Sequence, residues 1–490
     1  MFCHLLILRK LESFRRNPDR QVKYFRITVM CMKLLSFLVV LCALGVSGCM
    51  EQSNESALPR PRSLGREFST FQPPAKPMET SEVPEIAEPT GVITLRQSLA
   101  LALMHNPELK AFSWDVRASQ ARQLQASLWP NPTLGVNSED VGGTGQRSDF
   151  DSAETTIRLS QLIEMGGKRK KRTKLASLEK ELAGSDYEAK RLDVFTEVTK
   201  AFIKVLAAQD RLGLTKELLQ LSKDLLDTVT KRVEAGKDSP LEKTKAAVAL
   251  SIIEIQHQKA VQNLEFARKL LASTWAGKET MFESVSGRLD SLSPIPSIDE
   301  LTDLTAQNPD ITRWPLEIDK EKAALELEKA KAISDITLNG GFRRFNETDD
   351  NAIVFGILIP LPISDRNQAG KLEAVYNLAR AREKQRAAHI RIQMELARAY
   401  QALSSAYTEA TELDKNVLKG AESVFEASRT GYTLGKLDYL NVLDAQRTLF
   451  KAKAQYIDAL ASYHTAKADV ERLIGRSIDS ETLSRNEAGK

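Results

Sequence analysis

Two periodicities divide this chain. In four short stretches apolar and polar residues alternate, the pattern of a strand with one apolar face. Within 155–165, Ile157, Leu159 and Ile163 share a face opposite Thr156, Arg158 and Ser160. Within 352–361 the shared face carries Ile353, Phe355, Ile357, Ile359 and Leu361. Leu134 with Val136, and Ile336 with Leu338 and Phe342, mark a partner strand for each. Each stretch is about the 9–11 residues that cross a bilayer at a tilt. The segments between partners, 141–153 and 346–351, are polar and rich in Gly, Asp and Asn, as exposed hairpin loops are.

The second periodicity is helical. Residues 168–235 and 367–434 each run without a proline, and at about 1.5 Å per residue each helix would extend about 100 Å. A coiled coil or a duct needs such length; a globular core does not. In the return helix Leu449, Ala452, Tyr456, Ala459, Tyr463, Ala466, Val470 and Leu473 alternate by three and four, a heptad seam. The outbound helix carries Leu218, Leu221, Leu225, Val229 and Val233 in the same manner.

The chain also repeats itself. Asn106-Pro107-Glu108-Leu109 corresponds to Asn308-Pro309-Asp310-Ile311 at a shift of 202 residues, and the segment around Gly236 corresponds to that around Gly435 at a shift of 199. Each copy reads as helix, strand, strand, long helix, turn, long helix, over 92–277 and 298–475. The fold class that follows is mostly α with a small membrane β-barrel, built from two α-β-β-α-α repeats. Four strands close no barrel, since single-chain barrels start at about eight, and open sheet edges are not tolerated in lipid. Copies must therefore pool strands. Two copies would give a filled eight-stranded barrel, whereas three give twelve strands and a lumen, with a long α-helical tunnel below. Three copies are inferred from a duct's need for a lumen as much as from strand count.

The N-terminus changes the charge picture. From Met32 one Lys precedes an apolar run from Leu34 to Val46, then small residues, and Val46-Ser47-Gly48-Cys49 matches the bacterial lipoprotein cleavage box. Residues 1–49 thus read as a leader and lipoprotein signal peptide, with Cys49 as the lipidation site and 1–31 as an upstream extension, a mis-assigned start or an untranslated leader. Met50 follows the lipid Cys where an Asp would favour retention in the inner membrane, so the outer membrane is expected. This leader contributes +6 to the formal net charge of +4, leaving −2 on the mature chain. No basic footprint for nucleic acid remains. All four Cys, at 3, 31, 42 and 49, lie at or before the cleavage point, so neither a disulfide nor a thiolate metal site is available beyond it. Residues 50–91 hold seven prolines and few aromatics and read as an extended tether; 476–490 read as a polar tail. Beyond the leader no apolar run is long enough for a spanning helix.

Taken together, the two NP segments, Asn131-Pro132 opening a strand and the two Gly-centred turns resemble the outer-membrane efflux (TolC) family over residues 92–475. The stretch Gln161-Leu162-Ile163-Glu164-Met165-Gly166-Gly167-Lys168-Arg169, with the turn around Gly236, is similar to the CzcC-like heavy-metal branch. The resemblance implies a homotrimer with a twelve-stranded barrel and a periplasmic helical tunnel, docked on a periplasmic adaptor protein and an inner-membrane RND pump. It also implies that the helix-hairpin tips, here Gly236, Pro240, Gly435 and Leu437, form the periplasmic mouth and the adaptor-docking surface. Independently of the resemblance, Gly236 and Gly435 each suit a left-handed helix end, and Pro240 suits a helix start.

Acidic rings narrow the mouth in that family. Asp444 matches one acidic position, Asn441 replaces the other, and Asp438 offers a second carboxylate on the same tip. Three Asp444 side chains about one axis would attract cations; the plainer alternative has Asp444 facing solvent or paired with Arg447. The run Lys168-Arg169-Lys170-Lys171-Arg172 opens a helix, where its charge opposes the dipole, so a compensating partner is expected: outer-membrane lipid headgroups, or plain solvent exposure. The five His (His4, His105, His257, His389, His464) are scattered with no pair at ligand spacing, so neither a resident metal nor a cofactor is expected. His257 and His389 read as solvated or seam residues. No catalytic constellation is present. The function expected is a passive exit duct for heavy-metal cations. Competing with it are a drug-efflux or secretion duct of the same fold, and, in a different class, a lipid-anchored periplasmic coiled-coil adaptor or scaffold.

Overall fold

The structure is a computed structural model that describes residues 58–74, 87–147 and 150–478. The leader with Cys49 and residues 479–490 of the tail lie outside the described residues.

Six strands and nine α-helices follow one another among the described residues: β1 (Gly91–Thr94), α1 (Leu95–His105), α2 (Pro107–Ser127), β2 (Thr133–Glu139), β3 (Glu154–Ile163), α3 (Lys168–Glu234), α4 (Pro240–Ser273), β4 (Phe282–Ser286), α5 (Ile298–Leu304), α6 (Pro309–Lys331), β5 (Ile336–Phe345), β6 (Asp350–Leu358), α7 (Gln368–Glu412), α8 (Lys419–Thr433) and α9 (Tyr439–Ile474). Both long helices start from a left-handed residue, Gly167 before α3 and Asn367 before α7. Among the described residues no helix is long and apolar enough to cross a membrane.

The four alternating strands form one antiparallel sheet in the order β2-β3-β5-β6, which leaves β2 and β6 as edges. The register aligns the alternation across the sheet. Val136 pairs with Ile157, Ile157 with Phe342 and Phe342 with Ile353, while Leu338 pairs with Ile357. One face is therefore largely apolar, broken by Gln161 opposite Leu338 and giving way to Thr155, Arg344 and Asn351 at the loop end, and it is open: Phe355 is 81% exposed and Leu134 69%. The other face is polar. There Arg343 donates to Thr156 Oγ1 and to Glu154, both at 2.9 Å.

Two features lie outside the expected element list. β1 and β4 pair in parallel, joining the start of the first repeat to the segment after it. The second outbound helix is not uniformly α: a π-helical stretch, Leu413–Leu418, separates α7 from α8. Leu413 turns into the core beside Ala410 and Ala459, and Asn416 bonds Glu412 at 2.7 Å.

Part of the Pro-rich stretch is docked rather than extended freely. Leu58 and Leu64 are buried, and Phe68 packs on Phe195. A fully buried arginine on α3, Arg191, donates to the Glu188 carboxylate and to the carbonyl of Leu64 at 2.9 Å. A buried charge is tolerated only when paired and hydrogen-bonded, and here the docked segment supplies one of the acceptors.

On α9 every seam residue except the half-buried Tyr456 is buried. Below the sheet the helices lie side by side in a fixed order. α2 packs on α3, α3 on α6 and α6 on α7; farther out α4 packs on α3, α3 on α9 and α9 on α8. At each level the flanks are the same: β2, α2 and α4 from the first repeat, β6, α7 and α8 from the second.

Candidate functional site

The tips are built by two matching helix ends. At the end of α3, Gly236 adopts φ +69°, its N–H donates to Val233 O at 2.9 Å, and Lys237 N–H donates to Arg232 O at 2.9 Å. At the end of α8, Gly435 adopts φ +73°, with Gly435 N–H to Tyr432 O at 2.9 Å and Lys436 N–H to Gly431 O at 2.8 Å. Both are Schellman motifs, which need a left-handed residue after the helix and so favour glycine. Leu437 closes back over Gly431, where any β-carbon would sit 2.6 Å from Leu437 Cδ1. Pro240 opens α4 behind the N-cap Ser239, and Tyr439 opens α9 behind Asp438.

The two tips of one chain are fastened together. Arg232 donates to both oxygens of Asp238, at 2.7 and 2.9 Å, and lies 4.6 Å over the Tyr432 ring. The Tyr432 hydroxyl donates to Asp238 Oδ2 at 2.7 Å, and Arg232 also reaches the Tyr432 carbonyl at 3.2 Å. The hydrogen bonds from Arg232 foremost, opposed by burial and reinforced by the bond from Tyr432, hold the Asp238 carboxyl below the usual carboxylate range. Burial, then the Asp238 carboxylate, pushes the Tyr432 hydroxyl up. None of these three residues stood out in the sequence, because the clasp joins positions 194 apart. An Arg, an Asp and a Tyr beside two glycines carry no signal until the tips are in contact.

Asp444, Asn441 and Asp438 all lie exposed on the second tip. Among the described residues Asp444 makes no ion pair, with Arg447 or otherwise. The carboxylates expected in a gate are thus free of the clasp.

The basic run finds its partners within the chain. Lys168 pairs with Asp335 at 2.8 Å, Lys171 with Glu326 at 3.5 Å and Arg172 with Glu164 at 2.5 Å. Arg169 stacks 4.0 Å over Trp129, and Lys170 is exposed. The compensation that the helix dipole demands comes mostly from neighbouring acids.

The two NP segments prove to be joints. Asn106 caps α2 by accepting from Leu109 N–H at 3.0 Å, and its amide donates to Thr274 O at the end of α4 at 2.8 Å. Asn308 caps α6 by accepting from Asp310 N–H at 2.7 Å and donates to Leu473 O at the end of α9 at 2.8 Å. Each asparagine satisfies an orphan N–H of one helix and an orphan carbonyl of another. Each return helix is thereby linked to the start of a short one.

As for metal chemistry, no group of three His, Cys, Asp or Glu that could hold an ion occurs among the described residues. His257 contacts Thr215 Oγ1 at 3.3 Å on the seam, and His389 is exposed, with Nδ1 2.9 Å from Gln385 O.

A sheet with an exposed, mainly apolar face and open edges, continuous with long helices that end in clasped tips, defines the class of an outer-membrane channel subunit. More particularly, the chain belongs to the outer membrane efflux protein family, whose model matches residues 99–277 and 301–476. The family consists of outer-membrane efflux ducts, not enzymes. The chain is 33% identical to the cobalt-zinc-cadmium resistance protein CzcC of Cupriavidus metallidurans over 398 residues, which cover 81% of this chain and 94% of that one. It is 25% identical to the nickel-cobalt-cadmium resistance protein NccC of Alcaligenes xylosoxydans xylosoxydans over 62% of this chain and 68% of that one. Among solved structures it is similar to the channel CusC, with a TM-score of 0.63 at 18% identity, covering 84% of this chain and all of that one.

Proposed function

We propose that this protein is the outer-membrane duct of a tripartite heavy-metal efflux system, through which cations such as cobalt, zinc and cadmium leave the cell. The observation that carries the duct reading is the four-stranded sheet. It has one exposed, mainly apolar face and two unpaired edges, and a backbone left unpaired in lipid costs several kcal/mol per group. Joining β6 of one copy to β2 of the next satisfies both edges, and three copies close twelve strands around a lumen. The helical flanks support the same head-to-tail closure. Val248, Ile252 and Ile255 form an exposed apolar stripe on α4, and Ile390, Met394, Val417 and Val424 lie exposed along α7, the π-helical stretch and α8. A contact between two different faces that closes on itself makes a ring. Cys49 carries the lipid, and the exposed Lys170 is the member of the basic run left to meet headgroups.

The metal cargo is carried over from the names of the relatives. The tips around Gly236, Pro240, Gly435 and Leu437 are the ends farthest along the chain from the sheet, and they dock a periplasmic adaptor that links the duct to a proton-driven RND pump. In the trimer, Asp444 and Asp438 form the acidic constriction, and the exposed Asn441 leaves it less charged than two full acidic rings would be. Deleting the gene and measuring tolerance to zinc, cobalt and cadmium beside a drug panel tests the cargo. Loss of metal tolerance is expected; unchanged metal tolerance with drug sensitivity would overturn the metal reading while leaving the duct.

A further inference from the structure

Beside the clasp sits a carboxyl group without a partner. Glu242 is the third residue of α4, where a glutamate ordinarily reaches back to bond the N-cap N–H. The capping bond observed there runs from Leu241 N–H to Ser239 Oγ at 3.3 Å, and Glu242 Oε2 is shut off from solvent with no hydrogen-bond partner. Two further acids face it, Asp238 from the first tip and Asp438 from the second. Tyr432 and Tyr439 of the second hairpin lie within its field, and Arg232 and Lys245 are the cations facing it. Arg232 is already committed to Asp238 through two hydrogen bonds. An ionised Glu242 would therefore place a third negative charge between the tips, opposed mainly by Lys245.

We propose that Glu242 is a proton-operated latch: with its carboxyl protonated the two tips lie together, and loss of that proton drives them apart. This deepens the duct reading and rests on it. Burial foremost, then Asp238 and Asp438, holds the Glu242 carboxyl above its ordinary range in the closed tips. A group whose pKa is raised in one state favours that state at low pH. The latch is fully engaged below the ordinary glutamate pKa and is lost as pH rises through the raised value. Each unit by which closure raises that pKa changes the closed-to-open ratio about tenfold.

The test uses the full-length lipidated protein reconstituted in planar bilayers, titrated from about pH 4 to about pH 8, a range spanning the glutamate pKa. Wild-type conductance should rise with pH, and Glu242→Gln should stay at the low-conductance level throughout.

 Removing a repelling charge lowers the Glu242 pKa in the closed tips, so Asp438→Asn should make the rise smaller and move it to lower pH. A second readout does not depend on conductance. Spin labels on cysteines introduced at Lys237 and Lys436 report the separation of the tips. That distance should lengthen with pH in the wild type and stay fixed in Glu242→Gln. A Glu242→Gln protein that keeps the wild-type pH profile in both readouts would overturn the latch. So would a wild-type protein whose tips keep one separation across the range. Tips that part with pH in a protein that never conducts would instead overturn the duct reading and leave the latch standing.

Discussion

The side-chain amide of Asn106 donates to the carbonyl of Thr274 at 2.8 Å, across 168 residues of sequence. Asn308 does the same to Leu473 across 165 residues. The duplicated NP motif is thus a duplicated joint, in which proline starts one helix while asparagine caps it and holds the end of another.

Replacing either asparagine by alanine removes a helix cap and leaves a buried carbonyl unpaired. Each of Asn106→Ala and Asn308→Ala should destabilise the protein by about 1–2 kcal/mol, read as a lower midpoint of thermal unfolding in detergent. An unchanged midpoint in both would mean that the joints carry no stability.

The clasp predicts a conductance change. Tyr432→Phe deletes the hydroxyl that bonds Asp238, and a hydrogen bond to a charged group is worth about 1.5–3 kcal/mol. The closed tips should weaken accordingly, giving longer open dwell times in planar bilayers. Dwell times equal to wild type would show that the clasp does not restrain the mouth.

Asp238 adds an acid limit. Its carboxyl is held below the usual range by Arg232 and then Tyr432, so its contribution to closure is present above the ordinary carboxylate pKa and is lost as pH falls through the depressed value. Glu242 acts in the opposite sense. Closure should be tightest between the two, and Asp238→Asn should abolish the loosening on the acid side. Persistence of that loosening in Asp238→Asn would assign it to another group.

Removing the exposed Asp444 carboxylate takes three charges from the proposed constriction. Asp444→Ala should raise single-channel conductance and lower the preference for cations, since a ring of one sign concentrates counter-ions. If neither changes, Asp444 faces away from the lumen.

On the sheet, Phe355→Lys would place a charge on the open apolar face of β6. Near the middle of a bilayer such a change costs about 2–4 kcal/mol. Assembly of the detergent-resistant oligomer should fall, as seen by migration without heating; full assembly would place that face away from lipid.

Much of the fold is legible along the chain because its elements obey local rules. The alternation at Ile353, Phe355 and Ile357 marks a strand, the heptad at Leu449 to Leu473 marks a helix with one buried seam, and the glycines at 236 and 435 mark helix ends, since each depends only on neighbours a few residues away. The matching NP motifs likewise reveal the duplication without any coordinates. Contacts between distant segments are another matter. The sheet order that leaves β2 and β6 as edges, the pairing of Arg232, Asp238 and Tyr432, the burial of Glu242 Oε2, and the acids that neutralise Lys168, Lys171 and Arg172 all join residues that no period connects. Periodicity says which face of an element is apolar, but the charges and hydrogen-bond partners that meet at a tip are set by how separate helices pack, and that is decided only in three dimensions.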